Sequence, residues 1–274
     1  MSTFADEDYS GTNYSSHRPQ YPPKFYKALA EWAPIVKVAV DIGCGPGTAS
    51  VELAKIAEKV VAIDPSKAMI DAANAEFNIP NVEFRQGSDI DLKSMFEPAS
   101  IDLLTAAEAA HWFKYPEFFQ DARFILKPGG KLAIWGYVDP HCPQYPDLHK
   151  LLIDYTYSDD KLGPFWDAGR HYITNSYQEL DIPSYFEVDF RSVVPGDSAG
   201  YSDNVLAIER KLTLRQLMNQ LRTYSPYHKW KKQNPDKPDI WDLYEQDLVA
   251  MGIGFDQVLT LRWDTTVIFA TKRS

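Results

Sequence analysis

Between residues 36 and 137 short apolar runs alternate with helical stretches, and that alternation limits the possible folds more than any other feature of the chain. Val36–Ile42 is a β-branched run that reads as a strand, followed by glycines and a helical stretch near Thr48–Ala57. Val60–Ile63 reads as a second strand and Ser66–Phe77 as a second helix, with Ser66 placed to cap it. Val82–Arg85 and Ile101–Thr105 are a third and a fourth strand. Tyr115–Leu126 is helical, and the turn Lys127-Pro128-Gly129-Gly130 leads into a fifth strand, Lys131–Tyr137. Strands separated by helices cannot pair as hairpins; they form a parallel sheet covered on both faces, with right-handed crossovers.

The flanks are different in texture. Residues 1–20 read as a loosely docked arm, and Phe25, Leu29 and Trp32 then recur at helical spacing behind Pro22 and Pro23. After the core, residues 138–185 carry prolines and aromatics without a clear period. Phe186–Val194 alternates like a strand, and residues 195–204 are a Gly/Ser/Asp loop. Thr213–Tyr224 is an amphipathic helix; polar Lys231–Asp239 precedes another near Ile240–Met251, and Val258–Trp263 and Thr265–Thr271 are strand-like. The expectation is one domain over 1–274. Its parts are an N-terminal arm and helix (1–35), a ligand-binding core (36–137), a cap insertion with a returning strand (138–257) and a terminal strand region (258–274).

Several function classes fall away on composition. Two cysteines, Cys44 and Cys142, are too few for a disulfide scaffold. Neither they nor the six histidines show ligand spacing, so no metal is expected. The start, Met1–Asp8, is polar and acidic, and no run approaches the roughly 18 apolar residues of a membrane span. The reading is cytoplasmic, with no membrane association and no obligatory protein partner. A formal net charge of −10 argues against a broad nucleic-acid surface while leaving room for a basic pocket a few side chains wide.

Chemistry enters where the first strand ends, at Asp41-Ile42-Gly43-Cys44-Gly45-Pro46-Gly47. A glycine-rich turn lets the backbone approach a ligand and aims a helix N-terminus at it. The dinucleotide fingerprint would place a glycine where Thr48 stands; the D-x-G-x-G-x-G spacing suits a single nucleoside without a pyrophosphate. Asp64 ends the second strand, where two carboxylate oxygens can take both ribose hydroxyls. After the third strand comes Ser88-Asp89-Ile90, with Asp89 placed to accept from an adenine amino group and Ile90 to lie against the ring.

As an ordered set, Val38–Gly47, Asp64, Ser88-Asp89, Ile101–Ala107 and Leu126–Tyr137 resemble the class I S-adenosylmethionine-dependent methyltransferases. The resemblance implies a Rossmann-like α/β fold: a seven-stranded, mostly parallel sheet with helices on both faces, whose last two strands form an antiparallel hairpin. It implies S-adenosyl-L-methionine as cofactor. The turn Asp41, Gly43, Cys44, Gly45, Gly47 would flank the methionine moiety, and Asp64 with Pro65 and Met69 the ribose side. Ser88, Asp89 and Ile90 would meet the adenine, and the backbone around Ala106 and Ala107 the amino group.

Five further segments are similar to yeast-type trans-aconitate methyltransferases: Tyr14–Pro22, Ala107–Phe113, Ala133–Pro140, Leu162–Arg170 and Leu221–Trp230. Ile63–Met69 and Asn234–Ile240 are also similar to a sister group acting on cantharidin-type dicarboxylates. Both groups esterify a carboxylate of a small polyacid, so the implied acceptor is a small anionic acid. A carboxylate is already ionised at neutral pH and needs no general base. It needs cations that fix its orientation, preferably arginine forks. The candidates are Arg18, Arg170 and Arg222, supported by Tyr14, Tyr21, Trp135, Tyr224, Tyr227 and His228.

Competing roles are visible for each. Arg18 could tie the arm to the body, Arg170 could lie on the surface, and Arg222 could make a solvent-facing ion pair at the end of a helix with period Leu214, Leu217, Leu221. His111 and Trp112 follow the fourth strand, at the edge where open α/β sheets bind ligands, and are positioning candidates. Trp112 could close the transfer chamber; His111 is a donor or a structural histidine for an acid acceptor, and a base for a hydroxyl or amine. Other functions stay open: methyl transfer to an uncharged small molecule, an idle cofactor-binding protein on the same fold, and a nicotinamide dehydrogenase.

Overall fold

The structure is a computed structural model that describes residues 18–273. Eight strands build one sheet: β1 (Val36–Ile42), β2 (Ala57–Asp64), β3 (Val82–Gln86), β4 (Ile101–Ala107), β5 (Leu126–His141), β6 (Phe186–Val194), β7 (Glu209–Thr213) and β8 (Val258–Lys272). Their order is β3-β2-β1-β4-β5-β8-β6, with β7 paired to β8. Pairs β1·β2, β1·β4, β2·β3 and β4·β5 are parallel, and β8 runs antiparallel to β5, β6 and β7. This is a Rossmann-like sheet, parallel at β3-β2-β1-β4-β5 and antiparallel beyond, as the resemblance implies.

Central strands are apolar on both faces because both faces are covered. Alternate residues of β1, β4 and β5 fall into two cores. Ala39, Leu103, Ala133 and Trp135 pack on one side with Phe25 and Leu29 of the helix Pro23–Trp32. Val40, Leu104 and Ile134 pack on the other with Phe118, Phe119 and Phe186. Trp32 stacks on Phe269 with centroids 4.5 Å apart. The cap helices Pro146–Tyr157, Leu214–Leu221, Ser225–Gln233 and Ile240–Ala250 send Leu148, Leu217, Trp230 and Trp241 into the first core, while Ile173, Tyr177 and Ile182 of the cap pack into the second. Local chemistry sets the helix starts: the Ser66 hydroxyl accepts from the Met69 N–H at 3.4 Å, and Thr213 with Gln216 forms a capping box.

Several expectations change. The sheet has eight strands, not seven, because Glu209–Thr213 adds β7 against the first half of β8. β6 and β8 are antiparallel neighbours, but the residues between them form β7 and three helices, so they are no hairpin. Val258–Trp263 and Thr265–Thr271 are one strand. Residues 138–185, read as aperiodic, contain the helix Pro146–Tyr157, whose Leu148, Leu152 and Tyr155 are buried. The helix near Thr48–Ala57 is confined to Ser50–Leu53, since the chain extends into β2 from Ala57. The helix that begins after Thr213 stops at Leu221, and a second starts at Ser225. Among the described residues no helix is long and apolar enough to cross a membrane.

Candidate active site

The carboxyl ends of β1, β2 and β4 converge on a cavity of about 700 Å³. Its floor is the glycine turn, with Gly43 and Gly45 at φ +71° and +54°. A Cβ on Gly43 would lie 2.4 Å from the Ala109 Cβ, whereas one on Gly45 would meet nothing within 4 Å. The first glycine lets two segments of the protein touch; the second keeps backbone open to a ligand. Asp64 spans the turn: its Oδ2 accepts from the Gly45 N–H and its Oδ1 from the Ser66 N–H, both at 2.8 Å. Burial raises its pKa against the pull of those two donors.

Gly43, Cys44, Gly45, Asp64, Pro65, Met69, Ser88, Asp89, Ile90 and Ala107 all line this cavity. Burial pushes the Cys44 thiol up, so it is a neutral wall atom. One oxygen of Asp89 accepts from the Lys114 N–H at 2.8 Å, which fixes the carboxylate at the rim. Ile90 is 65% exposed there, an aliphatic side chain left open where a flat ring can cover it. An open backbone turn, a strand-end carboxylate and an uncovered apolar shelf suit a nucleoside bearing an amino-acid tail.

Three expected cofactor contacts lie elsewhere. Asp41 is fully buried beneath the turn, accepting from the Ser50 hydroxyl at 2.6 Å and the Thr105 hydroxyl at 2.8 Å. Burial raises its pKa to about 6, with those hydroxyls pulling it down. It braces the turn and does not line the large cavity. Ala106 is buried within β4, and Gly47 lies behind the turn against the Phe84 ring.

A chamber of about 40 Å³ adjoins the larger cavity and shares Arg18, Glu108, Trp112 and Tyr137 with it. Its other walls are His111, Val138, Trp166, Arg170, Tyr224 and Ser225. Arg170 stacks over Trp166 at 4.3 Å, donates to the Tyr157 hydroxyl at 2.8 Å and faces Asp139 at 3.6 Å. Burial works against its charge, but Tyr157, Asp139 and Glu108 outweigh it and raise its pKa. Its Nε is buried without a hydrogen-bond partner. Arg18 lies 5.0 Å over the Tyr224 ring and donates to the Thr223 carbonyl at 3.4 Å. Burial, reinforced by Arg170 and Arg18, lowers the pKa of His111 well below the imidazole range, so it is neutral. Its Nδ1 is 3.5 Å from the Tyr177 hydroxyl.

Of the predicted acceptor residues, Arg18, Arg170 and Tyr224 meet here with His111 and Trp112, and Tyr21 lines the larger cavity. The others do not join them. Arg222 pairs with Asp242 at 2.7 Å, because its helix turns Leu217 and Leu221 inward and leaves residue 222, at the helix end, beside the helix Ile240–Ala250. Tyr227 donates to Asp239 at 2.6 Å, and His228, on the same helix, lines neither space. Trp135 is wholly buried, edge-on to Tyr21 at 5.7 Å and 4.8 Å from Phe25. Tyr14 lies outside the described residues.

Sequence reading missed Glu108, Tyr137, Asp139 and Trp166. All four sit inside segments with a family resemblance, but only Glu108, a lone charge between alanines at a strand end, carried a signal of its own. Its side chain is half-buried, and desolvation drives its carboxyl up to about 7 against the Tyr137 N–H, Arg170 and Arg18. Among the described residues no cluster of His, Cys, Asp or Glu could hold a metal ion.

Comparison with known proteins agrees with this layout. A family model described as a methyltransferase domain matches residues 40–134, the span of the glycine turn and the strands around it. The chain is 27% identical to a Saccharomyces cerevisiae protein, CRG1, described as a probable S-adenosylmethionine-dependent methyltransferase, over 99% of this chain and 98% of that one. A Dictyostelium discoideum methyltransferase is 34% identical over 66% of each chain. A solved structure from Anaeromyxobacter dehalogenans, carrying the description type II methyltransferase, superposes with a TM-score of 0.73 at 25% identity, covering 93% of this chain and 97% of that one. The chain is a class I S-adenosylmethionine-dependent methyltransferase.

Proposed function

We propose that this methyltransferase esterifies one carboxylate of a small di- or tricarboxylic acid, of the trans-aconitate kind. The observation that carries the reading is the convergence of Arg18 and Arg170 on one chamber that opens into the cofactor cavity. Two guanidinium groups in a largely desolvated pocket suit a polyanion, since each can meet a carboxylate through a fork of N–H donors. When bound, S-adenosylmethionine supplies an electrophilic methyl group: the S–CH₃ bond breaks as a carboxylate O–CH₃ bond forms, the sulfonium becomes a thioether, and no proton is released.

The chain's own residues are then required to orient rather than to activate. Arg170, locked by Trp166, Tyr157 and Asp139, is the rigid cation; Arg18 is the one nearer the chain's N-terminal segment. Trp112 walls both spaces, and its aromatic face favours positive charge on the side where the methyl donor lies. Neutral His111 is a hydrogen-bonding wall. The residues 138–257 belong to the same domain in this reading, since Asp139, Trp166, Arg170 and Tyr224 complete a site begun by β4.

One observation favours a second reading. Glu108, half-buried at the junction of the two spaces with a pKa of about 7, is a competent base for an uncharged hydroxyl acceptor. A radiolabelled-methyl assay over trans-aconitate, citrate, succinate and their fully esterified forms separates the two. The acid reading expects label on the acids, none on the full esters, and release of the label by mild base. Base-stable label, or equal labelling of the full esters, would overturn it.

A further inference from the structure

We infer that Glu108 recognises the acceptor acid in its protonated form, donating a hydrogen bond to a carboxylate oxygen, so that acid binding takes up a proton. The inference rests on the acid reading above and adds a residue and a pH dependence to it.

The placement of Glu108 is built into the backbone. Residue 108 takes φ +53°, a left-handed conformation that a residue with a side chain seldom adopts, just past the end of β4. Its N–H donates to the Trp135 carbonyl at 2.9 Å, and its Oε1 accepts from the Tyr137 N–H. The carboxyl is thus clamped over the one residue of β5 between those two, Gly136. A Cβ on Gly136 would lie 2.7 Å from Glu108 Oε1 and 2.8 Å from Ile173 Cδ1. The seat exists because residue 136 has no side chain. With Oε1 used by Tyr137, Oε2 is the atom left to meet a ligand.

The charges around that seat set the sign. Arg170 enters from the cap and Arg18 from the segment ahead of the first helix; β5 contributes Asp139. The Tyr177 and Tyr224 phenols are kept neutral by burial, and His111 is neutral. Asp139 is already committed, accepting from the Tyr157 hydroxyl at 2.6 Å and facing Arg170 at 3.6 Å. An ionised Glu108 would make two anions against two cations, and an arriving carboxylate would find no net attraction and a like charge at contact distance. A protonated Glu108 leaves one positive charge in excess and turns the repelling oxygen into a donor. Its carboxyl is half neutral near pH 7 in the unliganded chain, so the arriving anion selects the protonated half and raises it further.

The linkage has a definite direction. Below about pH 6 Glu108 is already neutral and acid binding is insensitive to its titration; above about 7 the affinity falls, approaching about tenfold per pH unit beyond about pH 8, as the carboxyl must regain its proton. The test is calorimetric titration of trans-aconitate and citrate into the full chain saturated with S-adenosylhomocysteine. It is run at about pH 6, 7 and 8, in buffers of high and low ionisation enthalpy. Expected are a loss of about fivefold in affinity between pH 7 and 8 and a buffer-dependent heat reporting proton uptake. Glu108→Gln, which keeps a donor but cannot ionise, should flatten the profile, abolish the uptake and bind these acids more tightly than the parent at pH 8. Retained S-adenosylhomocysteine binding confirms that the variant is folded.

Acid binding that is independent of pH, without proton uptake, would overturn the inference and leave the acid reading standing. So would a Glu108→Gln variant with the parent's pH profile. Failure of every acid to bind, even at pH 6, would instead remove the acid reading and this inference with it. A Glu108→Gln variant that binds S-adenosylhomocysteine but has lost methyl transfer to a hydroxyl acceptor would assign Glu108 as a base, and also overturns it.

Discussion

The two spaces of this enzyme are made in opposite ways. The larger cavity, which suits the cofactor, is assembled mainly from consecutive strand ends within residues 42–113, closed over by 18–21, 137 and 167–169, and much of its surface is backbone or small side chain: Gly43, Gly45, Ala107, Ala109. The smaller chamber, proposed above for the acceptor, is made mostly of larger side chains from distant segments, at 18, 108, 111–112, 137–138, 166, 170 and 224–225. A site made of backbone is determined by the sheet and cannot be altered without altering the fold. A site made of side chains can be retuned by substitution while the sheet stays as it is. That contrast explains why the methyl donor can be read from the fold, while the acceptor has to be argued from charges.

The contrast can be broken most forcefully at Arg170. Arg170→Met leaves Asp139 buried without its cation and removes one fork from the chamber. Loss of one member of a buried charge pair should cost about 3–5 kcal/mol of folding stability. Loss of its charged hydrogen bonding to the acid, worth about 1.5–3 kcal/mol, should lower kcat/KM by about one to two orders of magnitude, while titration with S-adenosylhomocysteine remains near the parent value. A parallel loss of cofactor affinity would mean that the two spaces are not separable.

On the cofactor side the largest pH effect belongs to Asp41. Its folded pKa of about 6 lies above the ordinary carboxyl value of 3.8, so the folded state holds the proton more tightly than the unfolded chain. Stability should fall by about 3 kcal/mol as pH rises from about 4 to about 6, and this contribution should be level above that. Asp41→Asn should lack this slope in urea denaturation, and activity should follow stability rather than show a separate requirement for the carboxylate.

The glycine turn supplies a finer test. Gly45→Ala places a methyl group in open space at positive φ, a strain of about 1–2 kcal/mol. It should lower S-adenosylhomocysteine affinity about tenfold with a small loss of melting temperature. Gly43→Ala adds the overlap with Ala109 and should show mainly as lost stability. The smallest effect is expected at Arg222. Its half-exposed pair with Asp242 is worth at most about 1 kcal/mol, so Arg222→Ala should leave the KM for the acid unchanged. A raised KM would return Arg222 to the acceptor site.

What was legible in the sequence follows the same division. Alternation of period specified the parallel half, and Gly43, Gly45, Asp64 and Asp89 could be found because a ligand held by backbone constrains neighbouring residues in a fixed spacing. Trp135 and Ala106 sat in the right segments but on strand faces turned into the sheet's packing, a distinction the pattern Ala133–Tyr137 does not carry without knowing which face is covered. Arg222 was misplaced by a single residue's rotation about a helix whose other face is buried. Glu108 was hidden because its importance comes from a left-handed backbone and from the missing side chain of Gly136, neither of which is written at position 108. The helix Pro146–Tyr157 did have a period, Leu148, Leu152 and Tyr155, masked by the surrounding prolines and tyrosines.

Strand β8 has a consequence for traffic. Its register with β5 runs from Lys131–Thr271 to His141–Arg262, with β6 on its other side along the same half and β7 along its first residues. The segments that flank the cap are therefore tied to the sheet by a shared backbone ladder. A lid hinged as a whole would have to tear that ladder, so substrate entry and product exit are expected to use side-chain swings instead of an opening of the whole cap. Turnover should then depend on rearrangements of a few residues, with little contribution from domain motion.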